Sequence, residues 1–150
     1  MNAKITNQEI QRITRKLRRW GATELKAAVV KELAFTAYDT VAVAKVLAPE
    51  DNGVLKNTIV PTKRKGGLNW NINSRAKYSA YQEFGTGRKV DLSDLRKSGY
   101  PESYAAQFRG RGIRAVNIKP QPFFFPAINQ EWPKLIPRLK KEIEKRGRKF

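Results

Sequence analysis

The sequence predicts an α+β fold in which long N-terminal helices and a C-terminal helix pack on a small antiparallel sheet of about three strands. Three observations predict it. Apolar residues recur at three- and four-residue steps from Leu25 to Leu47, Leu68 to Asn73 alternate strictly, and helical spacing returns after Pro126. The chain has 150 residues, 40% of them hydrophobic and 10% aromatic. That is enough for one domain with a real core, read here as a single unit over residues 1–150.

Thr6 to Glu9 forms a capping-box pattern, with Ile5 and Ile10 spaced for a hydrophobic staple, so a first helix is expected to start near Asn7. Ile10, Ile13, Leu17 and Trp20 make its apolar stripe, and Arg12, Arg15, Lys16, Arg18 and Arg19 make the rest basic. After Gly21 the pattern resumes through Leu25, Val29, Leu33, Ala37, Val41, Ala44 and Leu47 until Pro49, which predicts one long helix over 22–48.

Pro49 to Gly53 is a turn cluster, and Val54 to Pro61 leads toward a strand. Lys65-Gly66-Gly67 is a second turn, after which Leu68, Trp70 and Ile72 alternate with Asn69, Asn71 and Asn73 as in a half-buried strand. These two segments are expected to pair as an antiparallel hairpin. Ala76 to Phe84 reads as a short aromatic helix or turn that stops at Gly85-Thr86-Gly87.

From Arg88 to Ile113 no period is sustained, and this stretch is expected to be a long basic loop, mobile until a partner orders it. Arg114 to Lys119 reads as a third strand with Val116 and Ile118 on one face. Proline holds Pro120 to Pro126 extended, and Pro126 suits the first position of the last helix, whose stripe is Ile128, Trp132, Leu135, Ile136, Leu139 and Ile143. Pro133 and Pro137 predict a kink near Glu131 and Trp132. The basic tail at about 145–150 is expected to fray.

There is neither His nor Cys. A His-based triad, a Cys nucleophile, thiol redox chemistry, disulfides and zinc or iron–sulfur sites built from those ligands are therefore excluded. The N-terminus has no signal-peptide pattern and no run is apolar enough for a membrane span, so the expectation is a soluble protein with no membrane partner. Ser74-Arg75-Ala76-Lys77 fits Ser-x-x-Lys, but Ser-Asp-Asn and Lys-Thr-Gly are both absent, so a serine nucleophile is a poor reading. Gly85-Thr86-Gly87-Arg88-Lys89 lacks the full spacing of a phosphate-binding loop and reads as a turn. The carboxylates at Glu50-Asp51, Asp91 with Asp94, and Glu142 with Glu144 fall in polar turns or on a charged helix. Neither catalysis nor a cofactor or metal site is expected.

The 31 Lys+Arg against 13 Asp+Glu give a formal charge of +18. One reading is nucleic-acid contact, with Arg109, Arg111, Arg114, Arg146 and Arg148 as candidates; the other is contact with acidic partner proteins.

Three segments carry a family resemblance. Ala48-Pro49-Glu50-Asp51-Asn52-Gly53-Val54-Leu55-Lys56-Asn57-Thr58-Ile59 is similar to Ala-Pro-x-Asp-x-Gly-x-Leu-x-x-Ser-Ile, with Thr58 in place of Ser. Tyr78-Ser79-Ala80-Tyr81-Gln82-Glu83-Phe84-Gly85-Thr86 resembles Tyr-Ala-x-Tyr-x-Glu-Phe-Gly-Thr, and Pro120-Gln121-Pro122-Phe123-Phe124-Phe125-Pro126-Ala127 resembles Pro-x-Pro-Phe-x-x-Pro-Ala. In this order they resemble the neck or tail-completion proteins of long-tailed bacteriophages, also labelled minor tail components.

The resemblance implies a structural virion protein without catalysis, made in the host cytoplasm. It would form a homo-oligomeric ring in the neck that joins head to tail, meet other connector and tail proteins, and let DNA pass with non-specific contact. A basic nucleic-acid-binding protein of the cytoplasm is the alternative. In the ring reading Glu83, Phe84, Gly85, Thr86, Gly87, Pro122, Phe123 and Pro126 form the subunit or partner interface. Gly85 and Gly87 would allow a tight reversal, Glu83 would be free to pair with a basic residue of a neighbour, and Pro122 and Pro126 would hold Phe123 in an extended arm. Ordinary packing is the rival reading of the three phenylalanines, at least one of which is expected in the core.

Overall fold

The computed structural model describes residues 2–5, 10, 11, 14, 23–50, 53–97, 99, 102–107 and 118–147. In chain order these hold β1 (Asn2–Ile5), α1 (Thr23–Leu47), α2 (Val54–Thr58), β2 (Ile59–Arg64), β3 (Asn69–Ser74), α3 (Ser79–Phe84), α4 (Ser93–Lys97), α5 (Glu102–Ala106), α6 (Phe124–Glu131) and α7 (Leu135–Gly147). The fold is α+β. The capping box at Thr6 to Glu9 and the basic face of the first helix lie outside the described residues; Ile10, Gln11 and Thr14 are helical, and Ile10 is buried.

The long helix runs nearly where its spacing predicts. Its buried stripe is Val29, Leu33, Ala37, Val41, Ala44 and then Ala48, so the seam passes through Ala48 while Leu47 is exposed. Small residues along this stripe let α1 lie close to β2, β3, α6 and α7, all of which it contacts. Asp39 on α1 accepts from Arg138 on α7 at 2.7 Å.

The hairpin forms as its alternation predicts. β2 and β3 pair antiparallel, with Pro61 opposite Ile72 and Lys63 opposite Trp70, which places Ile59, Trp70 and Ile72 on the core face. β1 pairs with the other edge of β3, giving the order β1-β3-β2. The hairpin is thus the part of the expected sheet that forms as drawn. The third strand expected at Arg114–Lys119 is not among its strands: Ile118 and Lys119 are irregular, and 114–117 lie outside the described residues. Ile118 bonds to Thr86 rather than to the sheet.

Three further expectations change. Val54 to Thr58 is a helical turn rather than strand, and extended chain starts only at Ile59. The stretch from Arg88 is not one continuous loop, because α4 and α5 lie in it and Leu92 and Leu95 anchor it in the core. Elements of five residues are too short to display a period. The last helix begins at Phe124, so Pro126 is its third residue, where a missing N–H still leaves no helical bond unmade. The predicted kink is present as a 3₁₀ turn at Trp132–Lys134, and Pro137 falls in the first turn of α7.

Candidate functional site: the Glu83 clasp

α3 ends at Gly85, whose φ of 76° and ψ of −171° suit glycine alone among the residues. A Cβ there would stand 2.8 Å from the Ile118 carbonyl oxygen, 2.9 Å from Pro120 Cδ and 3.0 Å from the Lys89 carbonyl oxygen. Two strands of chain are thereby brought within reach of each other. The Thr86 N–H donates to Ile118 O at 3.1 Å while the Ile118 N–H donates to Thr86 Oγ1 at 2.9 Å, and the Gln121 N–H donates to Gln82 O at 2.8 Å.

Glu83 closes this clasp. Its Oε2 accepts from the backbone N–H groups of Phe123 at 2.7 Å and Phe124 at 2.9 Å, and its Oε1 from that of Phe125 at 3.0 Å. These are the orphan amides at the start of α6, where the residue in the capping position is Phe123, which has no side-chain acceptor. The carboxylate is only 2% exposed. Burying an anion is costly, and here three amides and the positive end of a helix offset that cost. Pro126 removes the fourth orphan donor, so the end of the helix is satisfied.

All three phenylalanines lie inside the protein, at 0%, 0% and 1% exposure for Phe123, Phe124 and Phe125. Phe84 stacks at a tilt on Phe125 with ring centroids 5.6 Å apart and meets Tyr104 edge-on at 6.1 Å. A buried side chain of this size contributes about 1.5–3 kcal/mol through removal from water. Burial pushes the Tyr104 phenol above its ordinary range.

The expected interface residues therefore divide. Glu83, Phe84, Gly85, Thr86 and Phe123 are buried in the protomer, so Glu83 is not free for a basic residue of a neighbour and Phe123 is a core side chain rather than an arm. Three backbone donors satisfy the carboxylate better than one flexible cation at a surface would. Pro122 is exposed, and Gly87 and Pro126 are half-buried. Of the cationic candidates, Arg109, Arg111, Arg114, Arg148 and the side chain of Arg146 lie outside the described residues.

A small cleft beside the clasp is lined by Glu83, Phe84, Asp91, Ser93, Leu95 and Pro122. Its void of ≈ 210 Å³ includes open solvent. Its enclosed part holds about one water molecule. Ser74 is buried at the end of β3 and Lys77 lies in the following turn, so this pair is not on a helix that would bring positions i and i+3 together. Among the described residues no three acidic side chains converge on a metal position, and no helix is long and apolar enough to cross a membrane. One signal of the clasp was present in the sequence: Gln121-Pro122-Phe123 leads into a helix without Ser, Thr, Asp or Asn at its cap, which calls for an acceptor from elsewhere.

No family model, no curated protein and no solved structure matches this chain.

Proposed function

We propose that this chain is a structural protein of the head-to-tail junction of a long-tailed bacteriophage, acting as one subunit of a ring through which DNA passes. The observation that carries this reading is the clasp. The Tyr78–Thr86 and Pro120–Ala127 segments, two of the three on which the resemblance rests, are bonded to each other through Glu83 and Gln82. The third contributes Ala48, Leu55 and Ile59 to the same core. The motif residues thus build the protomer rather than a reaction centre.

Ring contacts are then assigned to the surface margin of the clasp, Gly87, Pro122 and Pro126, with Glu83 and Phe123 supporting it from within. Light scattering after size exclusion, with electron microscopy of the same fraction, tests this role. Closed rings of uniform diameter are expected. A strict monomer at every concentration overturns it, and a monomer that binds random duplex with a steep salt dependence would give the role to the nucleic-acid-binding alternative, which the +18 charge favours.

A further inference from the structure

From Asn52 to Gln82 there is no Asp or Glu, while Lys56, Lys63, Arg64, Lys65, Arg75 and Lys77 all fall there. Three of these cations are consecutive at the apex of the hairpin, and Lys63, Arg64 and Lys65 are all exposed. Among the described residues none of the three is in an ion pair.

The turn of this hairpin is held firmly. Gly67 lies so close to α1 that a Cβ would meet Val30 Cγ1 at 2.7 Å. The Trp70 indole N–H donates to Gly67 O at 3.1 Å, and its ring meets Tyr38 of α1 edge-on at 5.7 Å. The turn therefore packs on α1 at Val30, in a part of the helix that carries Glu24, Lys26, Lys31 and Glu32; Lys26 and Lys31 are exposed and Glu32 is buried. Lys65 has a φ of 38°, the only positive φ of a non-glycine residue among those described. A lysine occupies a backbone position that Gly or Asn would fill with less strain.

We infer that the Lys63-Arg64-Lys65 apex, with Lys26 and Lys31 beside it, is a docking surface for the phosphate backbone of duplex DNA. Protein partners are anchored by apolar and aromatic side chains at the centre of an interface; Lys63, Arg64, Lys65 and Gly66 offer none, and the exposed rings Phe35 and Tyr38 lie on α1, where Lys31 covers Phe35 at 5.5 Å. Trp70, the one aromatic of the hairpin, is buried, so no ring is offered at the apex for stacking on unpaired bases. What remains at the turn is a cluster of three exposed cations, flanked by the half-buried Thr62 and Asn69. Phosphate and sugar are the groups such a set recognises, independent of base sequence. The inference goes beyond the ring, since it concerns the surface of the single chain.

The test measures binding of the full-length protein to a random-sequence duplex over a salt series, with oligomeric state recorded in parallel so that loss of a ring and loss of this surface are read separately. The K63Q/R64Q/K65Q variant is expected to weaken binding at least about tenfold and to flatten the log–log salt slope by about 2 to 3. K119Q/K140Q/K141Q, which removes the same charge from exposed positions on other segments, is expected to change affinity far less. Equal losses in the two variants would mean delocalised charge and overturn the assignment, as would a wild type that does not bind duplex at low salt. Tighter, apex-dependent binding of polyglutamate would overturn it in favour of an acidic protein. K65N separates binding from folding: it should lower affinity while leaving the melting temperature unchanged or raised, and a fall in melting temperature would make the apex a structural element and end the proposal.

Discussion

The clasp and the hairpin apex both set charged side chains beside a tight turn, and they use them in opposite ways. Glu83 is a single anion, buried, with both oxygens occupied by backbone donors of another segment. Lys63, Arg64 and Lys65 are three cations in a row in water, on a hairpin that contains no acid. Low dielectric makes each bond of the first strong and its loss costly, whereas solvent and salt make the second nearly neutral for folding. The buried charge of Glu83 is a fold determinant; the exposed cations of the apex contribute little to folding.

The largest test of that contrast is Glu83→Ala. It leaves three buried amides at the start of α6 without an acceptor and is expected to destabilise folding by about 3–5 kcal/mol, measured by denaturant unfolding. Glu83→Gln keeps an acceptor but loses the charge and should cost about half as much. If Glu83→Ala folds with wild-type stability yet fails to assemble, the carboxylate belongs to an interface and the contrast fails. Gly85→Ala follows, at about 2–4 kcal/mol, because its Cβ would stand within 3.0 Å of two carbonyl oxygens at a positive φ. A smaller loss would mean that the clasp yields more easily than its bonds imply.

At the apex the same measurement should find almost nothing. K63Q/R64Q/K65Q is expected to shift folding stability by no more than about 0.5 kcal/mol, since exposed substitutions away from caps and cores do little. The smallest effect is at the margin of the clasp, where burial against Phe84 favours the neutral Tyr104 phenol. Its pKa is raised in the folded state, so this contribution is fully present below the unfolded value of about 10 and is lost as pH rises through the folded value. Absorbance titration should find a tyrosine ionising later than the others, and Tyr104→Phe should flatten the alkaline fall in stability.

Elements with enough turns or alternations were legible in the sequence. Thr23–Leu47 shows its stripe over many turns, Asn69–Ser74 its alternation, and Pro133 with Pro137 the kink, because each signal is local and repeats. Gly85 was legible as the stop of α3 for the same reason, a backbone requirement expressed by one residue type. The helical turns at Val54–Thr58, Ser93–Lys97 and Glu102–Ala106 were not, since five residues cannot express a period.

What the sequence by itself determined, then, is the α+β class, the long helix, the hairpin with its basic apex, and the lack of His and Cys chemistry. Tertiary structure alone decided the role of Glu83. Its partners lie some 40 residues along the chain, and they are main-chain amides, which every residue but proline carries and no pattern of side chains can announce. It also decided that Phe123, Phe124 and Phe125 all turn inward, because the proline-flanked segment, expected to be extended, instead enters α6 at Phe124 with its first amides fixed by the Glu83 carboxylate.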